Sequence, residues 1–220
     1  MSLIAEADRA DVETFLTRLL RLDQAAVVRL RPSPGDEPAR LWALLPFRVL
    51  VTRPLAEPVK TDVTVSAADL VANLASGQHP RQRDQAWRWP LPPSRSRVVE
   101  TIPAVEVVRL AAAASRTLRT AAAEGVGGRA VGERIVRDAL LDHVPIVVTT
   151  DDGVRVEVPQ RVVQAVARMG FLGRVTHSAD SIASTPGDQS VTVRLAIGWI
   201  GLDALHGSAW YRPISPLRLG

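Results

Sequence analysis

Residues 77–97 read GQHPRQRDQAWRWPLPPSRSR and separate two stretches of the chain that carry different patterns. The segment contains four prolines and shows neither the alternation of a strand nor the spacing of an amphipathic helix, which is typical of a boundary. We therefore predict a domain over residues 1–77, a connector rich in Pro, Arg and Trp over residues 78–98, and a second domain over residues 99–220.

The stretch before the connector predicts an antiparallel sheet with flanking helices. Apolar residues at helical spacing, with acids leading and arginines trailing, predict a helix over residues 8–22. The sequence from Ser66 to Asp69 has the form of a capping box and predicts a short helix that closes at Gly77. Four strand-like runs lie between the two helices, at residues 25–31, 39–45, 47–53 and 62–65. The expected order is α-β-β-β-β-α.

The stretch after the connector predicts a helical unit followed by an antiparallel C-terminal meander, so that the whole chain is α+β. The expected elements are helices at 103–124, 129–142 and 159–170, a hairpin at 145–158, and strands at 174–178, 190–197, 199–204 and 208–212. The order helix, helix, hairpin is winged-helix-like. Asp151 and Asp152 at the predicted hairpin tip would repel phosphate, which disfavours DNA reading by this unit.

The positive charge of the chain is concentrated in the connector. The 220 residues include 27 Lys+Arg and 23 Asp+Glu, and residues 79–97 alone hold five Arg against Asp84, which accounts for the whole net charge of +4. All basic residues except Lys60 are Arg, a skew that lowers the weight of any single Arg as evidence of function. The absence of Cys excludes disulfides, Cys nucleophiles and Cys-ligated zinc.

The connector also supplies the candidate binding residues. Arg guanidinium groups pair with anions, and Trp side chains anchor protein interfaces or stack on unpaired bases. The leading hypothesis is a non-enzymatic protein-interaction module of unknown partner, and the alternative is RNA or single-stranded DNA binding. An inward packing of the two Trp side chains, with solvated arginines around them, stays open beside both. The residues concerned are Arg81, Arg83, Trp87, Arg88, Trp89, Arg95 and Arg97.

No motif in the chain specifies a catalytic chemistry, a cofactor or a metal. The GxGxx(G/A) match at residues 125–130 follows a helix rather than a strand, so we interpret it as a helix–helix turn. Trp199 and Trp210, on predicted paired strands, belong either to an exposed binding face or to core or interdomain packing. An enzyme remains an open third hypothesis only if the fold brings together four scattered residues: His177, Asp180, Asp203 and His206.

Two stretches bear on the compartment. Residues 1–11 are acidic and lack an apolar region, and residues 104–123 contain four charged side chains, so we predict neither a signal peptide nor a membrane span. We expect a cytoplasmic protein that has a protein partner and no membrane partner. Nucleic acid and a second copy of the chain stay open as further partners.

Overall fold

The computed structural model describes residues 3–33, 35, 37–74, 76, 78–124, 133–173 and 190–213. The chain divides into two compact units, Met1–Leu91 and Pro92–Gly220. Each unit combines helices with antiparallel strands, which confirms the predicted α+β class.

The first unit follows the predicted order α-β-β-β-β-α. Its strands form an antiparallel array in the order β4-β1-β2-β3. Ser66 Oγ accepts a hydrogen bond from the Asp69 amide at 3.3 Å, which confirms the predicted helix start. The elements are α1 (Arg9–Leu22), β1 (Val27–Arg31), β2 (Arg40–Leu44), β3 (Leu50–Pro54), β4 (Val63–Ser66) and α2 (Ala67–Leu74).

The core of the first unit follows from two periodicities. On β1, Val28 and Leu30 are fully buried, whereas Arg29 between them lies on the other face. The helix α1 buries four apolar residues spaced by one turn: Val12, Phe15, Leu16 and Leu19. Burying such side chains contributes about 25 cal/mol per Å² of apolar surface removed from water, so this face of α1 stabilises the unit.

In its described residues, the second unit contains a meander, a hairpin and three helices. Its main strands are antiparallel in the order β10-β9-β8-β5, and β6 pairs with β7 in a separate hairpin. The predicted turn at 125–128, the first four residues of the predicted helix 129–142 and the predicted strand 174–178 lie outside the described residues. The elements are β5 (Arg97–Pro103), α3 (Ala104–Glu124), α4 (Glu133–Asp142), β6 (Ile146–Thr149), β7 (Arg155–Val158), α5 (Gln160–Arg168), β8 (Ser190–Ala196), β9 (Trp199–Ala204) and β10 (Gly207–Tyr211).

The strand β5 is an element that the sequence pattern did not predict. The strand begins at Arg97, where we expected the end of the connector, and continues to the start of α3. The register with β8 shifts between Val98 and Glu100. Five of its seven residues are exposed, so no buried face imposes the alternation by which strands are recognised.

One close approach in the second unit requires a glycine. Gly201 on β9 lies opposite Trp210 on β10, and a Cβ at Gly201 would stand 2.7 Å from Trp210 Cε3. Trp210 is only 7% exposed, so the indole has little room to move away.

We expect Gly201→Ala to lower the free energy of unfolding by about 1–3 kcal/mol, the usual cost of overpacking a core. Thermal and urea unfolding of the full chain measure the change. The double variant Gly201→Ala/Trp210→Ala removes the ring that the new methyl group meets, so the stability it loses should be smaller than the sum of the losses of the two single variants. Strictly additive losses would contradict the steric explanation.

Candidate interaction surface

The edge of strand β4 is occupied by the segment that follows α2. β4 pairs with β1 on one side. On its other side, the Arg83 amide donates to Thr64 O at 2.7 Å, and the Thr64 amide donates to Asp84 Oδ1 at 2.7 Å. Val65 forms an isolated bridge with Gln82. These bonds satisfy polar groups of an edge strand and hold residues 82–84 against the sheet.

Trp87 follows directly and is partly packed against the unit. A single helical turn at Asp84–Ala86 leads into it. Its ring is half-buried, and the guanidinium carbon of Arg29 on β1 lies 5.9 Å from the ring centroid. The indole Nε1 donates a hydrogen bond to Trp89 O at 2.8 Å. Trp87 therefore has its donor already engaged and one neighbour over its ring.

Arg29 is held in place by a carboxylate. Its Nε and its terminal nitrogen donate to the two oxygens of Asp62 at 2.6 and 2.7 Å, a bidentate pair. This pairing raises the pKa of the Arg29 guanidinium above its ordinary value. Arg29 is therefore a fixed, neutralised cation that orients Trp87, and its charge is not free for a ligand.

Trp89 faces solvent. It is 36% exposed, and the guanidinium carbon of Arg48 lies 5.4 Å from its ring centroid. Arg48 comes from the turn between β2 and β3, in which its amide donates to Leu45 O. A cation over a Trp ring contributes about 0.5–1 kcal/mol at an exposed site, enough to orient the two side chains together.

The predicted binding residues divide between the two units. Arg81, Arg83 and Arg88 are exposed in the first unit, and Arg83 stands 3.8 Å from Asp69. Within the described part of the chain, no carboxylate pairs with Arg81 or Arg88.

Arg95 and Arg97 belong to the second unit, where Arg97 lies 3.5 Å from Asp152. We define the Arg/Trp surface by its six members in the first unit: Arg48, Arg81, Arg83, Trp87, Arg88 and Trp89.

Two of the arginines around the tryptophans were not predicted. Arg29 and Arg48 lie about 40 to 60 positions before the rings that they approach. Arg29 reads as an ordinary polar position of a strand and Arg48 as a turn residue, so neither had a local signal that linked it to the connector. The contacts arise only when residues 82–84 dock on β4.

The other tryptophans do not form an exposed face. Trp199 and Trp210 are 6% and 7% exposed, so both side chains are packed inside the protein.

Two of the four residues of the enzyme hypothesis, Asp203 and His206, lie among the described residues. Asp203 Oδ1 accepts a hydrogen bond from Ser208 Oγ at 2.6 Å, across paired strands. His177 and Asp180 lie outside the described residues, so the four-residue enzyme hypothesis stays a prediction. Across the described ranges, no group of three or more His, Cys, Asp or Glu could hold a metal ion, and no helix is long and apolar enough to cross a membrane.

An open cavity of about 520 Å³ in the first unit lies near Asp8. The buried carboxylate of Asp8 accepts hydrogen bonds from the amides of Ala56 and Glu57 at 2.7 and 3.2 Å. These bonds tie the start of α1 to the loop after β3, which gives Asp8 a structural role.

We expect Asp84→Ala to loosen the docked segment, because the Thr64 amide loses its acceptor. A lost hydrogen bond of this kind costs about 1–2 kcal/mol, which corresponds to about five- to thirtyfold more opening. Limited digestion with trypsin, which cleaves after Arg, should cut the segment faster by a similar factor.

Two matched variants control this experiment. Asp84→Asn keeps an acceptor oxygen, and Asp69→Asn removes only the exposed partner of Arg83, so both should digest nearly as slowly as the unchanged chain. Equal digestion of Asp84→Ala and the unchanged chain would show that the Thr64–Asp84 bond does not hold the segment.

The fold has relatives among solved structures. A protein described as a DNA polymerase III beta subunit from Eubacterium rectale aligns with a TM-score of 0.51 and 9% sequence identity, and a DNA polymerase III beta chain from Streptococcus pneumoniae aligns with a TM-score of 0.53 and 9% identity. Each alignment covers 94% of this chain, which spans only 63% and 64% of the two relatives. At this identity the likeness concerns the fold alone.

A comparison with the curated proteins found no match. Two family models match consecutive parts of the sequence. Residues 1–90 match the model for a domain of unknown function, DUF8010, and residues 91–216 match that for a second domain of unknown function, DUF8185. The two matches meet one residue before the division between the two compact units. The second match covers more than half of the length of this chain, so the chain belongs to the DUF8185 family.

Proposed function

We propose that this chain is a non-enzymatic protein-interaction module that contacts its partner through the Arg/Trp surface. The observation that carries the proposal is Trp89, a large aromatic side chain 36% exposed beside arginines that lack carboxylate partners in the described residues. Trp and Arg are the residue types most enriched among the energetic centres of protein interfaces.

A protein partner suits the geometry better than single-stranded nucleic acid. Nucleic-acid binding of this kind uses several open aromatic faces, on which successive bases stack. Trp87 is half-buried beside Arg29, which leaves Trp89 as the more open ring of the pair. One open ring beside several cations is the arrangement of an interface anchor rather than of a stacking platform.

RNA or single-stranded DNA is the second candidate ligand. The exposed guanidinium groups of Arg81 and Arg88 also match phosphate oxygens, and one base could stack on Trp89. In that case binding would weaken steeply as salt is raised.

Two finer assignments accompany the proposal. We propose that residues 78–98 act as a functional connector and that the unit from α3 to β7 is winged-helix-like. The exposed Asp152 carboxylate, hydrogen-bonded by the Thr150 side chain, has a lowered pKa, so the hairpin tip stays acidic and supports protein rather than DNA contacts.

Affinity purification of the tagged full chain from its native host, with mass spectrometry and nucleic-acid recovery, tests the proposal. We expect the double variant Trp89→Ala/Arg88→Ala to lose the captured protein about thirtyfold, the factor that corresponds to about 2 kcal/mol for an interface anchor. The matched control is Ile197→Ala/Arg134→Ala, which removes an exposed apolar residue and an exposed arginine of the second unit.

Capture of the same protein by both double variants would contradict the proposed surface. Recovery of nucleic acid, with protein capture abolished by nuclease, would favour the second candidate instead.

A further inference from the structure

Arg48 holds an unfavourable backbone conformation. It has a φ of 65°, and no other non-glycine residue in the described ranges has a positive φ. The turn from Leu45 to Val49 closes through the bonds Leu45 N to Val49 O and Arg48 N to Leu45 O. This left-handed position favours glycine or asparagine, so the backbone of the turn gains nothing from an arginine.

The contacts of its side chain explain why an arginine occupies this turn position. Its guanidinium lies over Trp89, and within the described residues no carboxylate neutralises it. A guanidinium has five N–H donors, so a contact with one ring leaves donors available for a partner. The part of the chain that the structure describes also provides no acceptor for the indole N–H of Trp89.

We propose that Arg48 and Trp89 form a paired anchor for an extended acidic segment of a protein partner, an inference that rests on the proposed function. A partner carboxylate receives the N–H fork of Arg48, and an adjacent apolar side chain covers the exposed indole of Trp89. The turn positions the arginine before the partner arrives, which lowers the ordering cost of binding.

The charge of the surrounding surface is complementary to such a segment. Arg81 and Arg88 are exposed near the anchor in sequence, and no described carboxylate pairs with them. Arg29, by contrast, is already neutralised by Asp62. Unneutralised arginines together with one open indole favour a partner that carries acidic and apolar side chains, because a carboxylate pairs with a guanidinium and an apolar side chain covers the indole.

The experiment uses the full chain and a fluorescein-labelled twelve-residue peptide built from Glu, Leu and Gly, read by fluorescence anisotropy. A peptide with Gln in place of every Glu is the ligand control. We expect Arg48→Gly to weaken binding of the Glu peptide about tenfold, as expected for the loss of a charge-assisted pair. Its melting temperature should be equal or higher, because glycine relieves the left-handed strain.

The variants separate this inference from the proposed function. Trp89→Ala should also weaken binding about tenfold, whereas the control Arg134→Ala should bind as the unchanged chain does. If Trp89→Ala weakens binding and Arg48→Gly does not, the paired-anchor inference is contradicted, whereas the proposed function of the Arg/Trp surface is still supported. If neither variant changes binding, both proposals fail. If the Gln peptide binds as well as the Glu peptide while Trp89→Ala still weakens binding, the acidic-segment inference fails and the proposed Arg/Trp surface stands. Tighter binding of an oligothymidylate than of the Glu peptide at the same salt would overturn the acidic-segment assignment.

Discussion

The free edge of strand β4 is the constraint on which the candidate surface depends. Backbone N–H and C=O groups at a sheet edge must find partners, and an open edge is a risk for aggregation. The chain satisfies Thr64 with its own segment, through the Arg83 amide and the Asp84 carboxylate. With residues 82–84 held there, Trp87 contacts Arg29 and Trp89 contacts Arg48. The docked segment therefore both satisfies the edge of β4 and positions the two tryptophan side chains of the Arg/Trp surface.

Ion pairing sorts the arginines of the first unit into two groups. Arg29 binds Asp62 and Arg53 binds Asp11, so these arginines stabilise or orient the fold. Arg48 and Arg88 lack such partners in the described residues and keep their charge for solvent or for a ligand. In a chain whose basic residues are nearly all Arg, composition could not make this distinction, because it counts both groups alike.

Local patterns predicted what local interactions determine. The alternation on β1 and the cap at Ser66 depend on residues a few positions apart, and both elements form where we expected them, with slightly different bounds. The strand β5 was missed because it is exposed and irregular in register. The role of Arg48 was missed because its ring partner lies 41 positions away and only the docking of a distant segment brings the two together. A contact between residues this far apart in the sequence produces no periodic pattern from which it could be predicted.

Charges that are neighbours in the sequence therefore need not lie on the same unit of the folded protein. The five arginines of residues 79–97 form one basic run in the sequence, yet Arg95 and Arg97 belong to the second unit and Arg97 faces Asp152. The first unit loses those two charges from its surface and gains Arg48 from a turn. At 9% identity, a shared fold transmits the path of the backbone and not the side chains that decorate it. The side chain of Arg48 is one group that the path of the backbone does not explain, because its left-handed turn position favours glycine or asparagine.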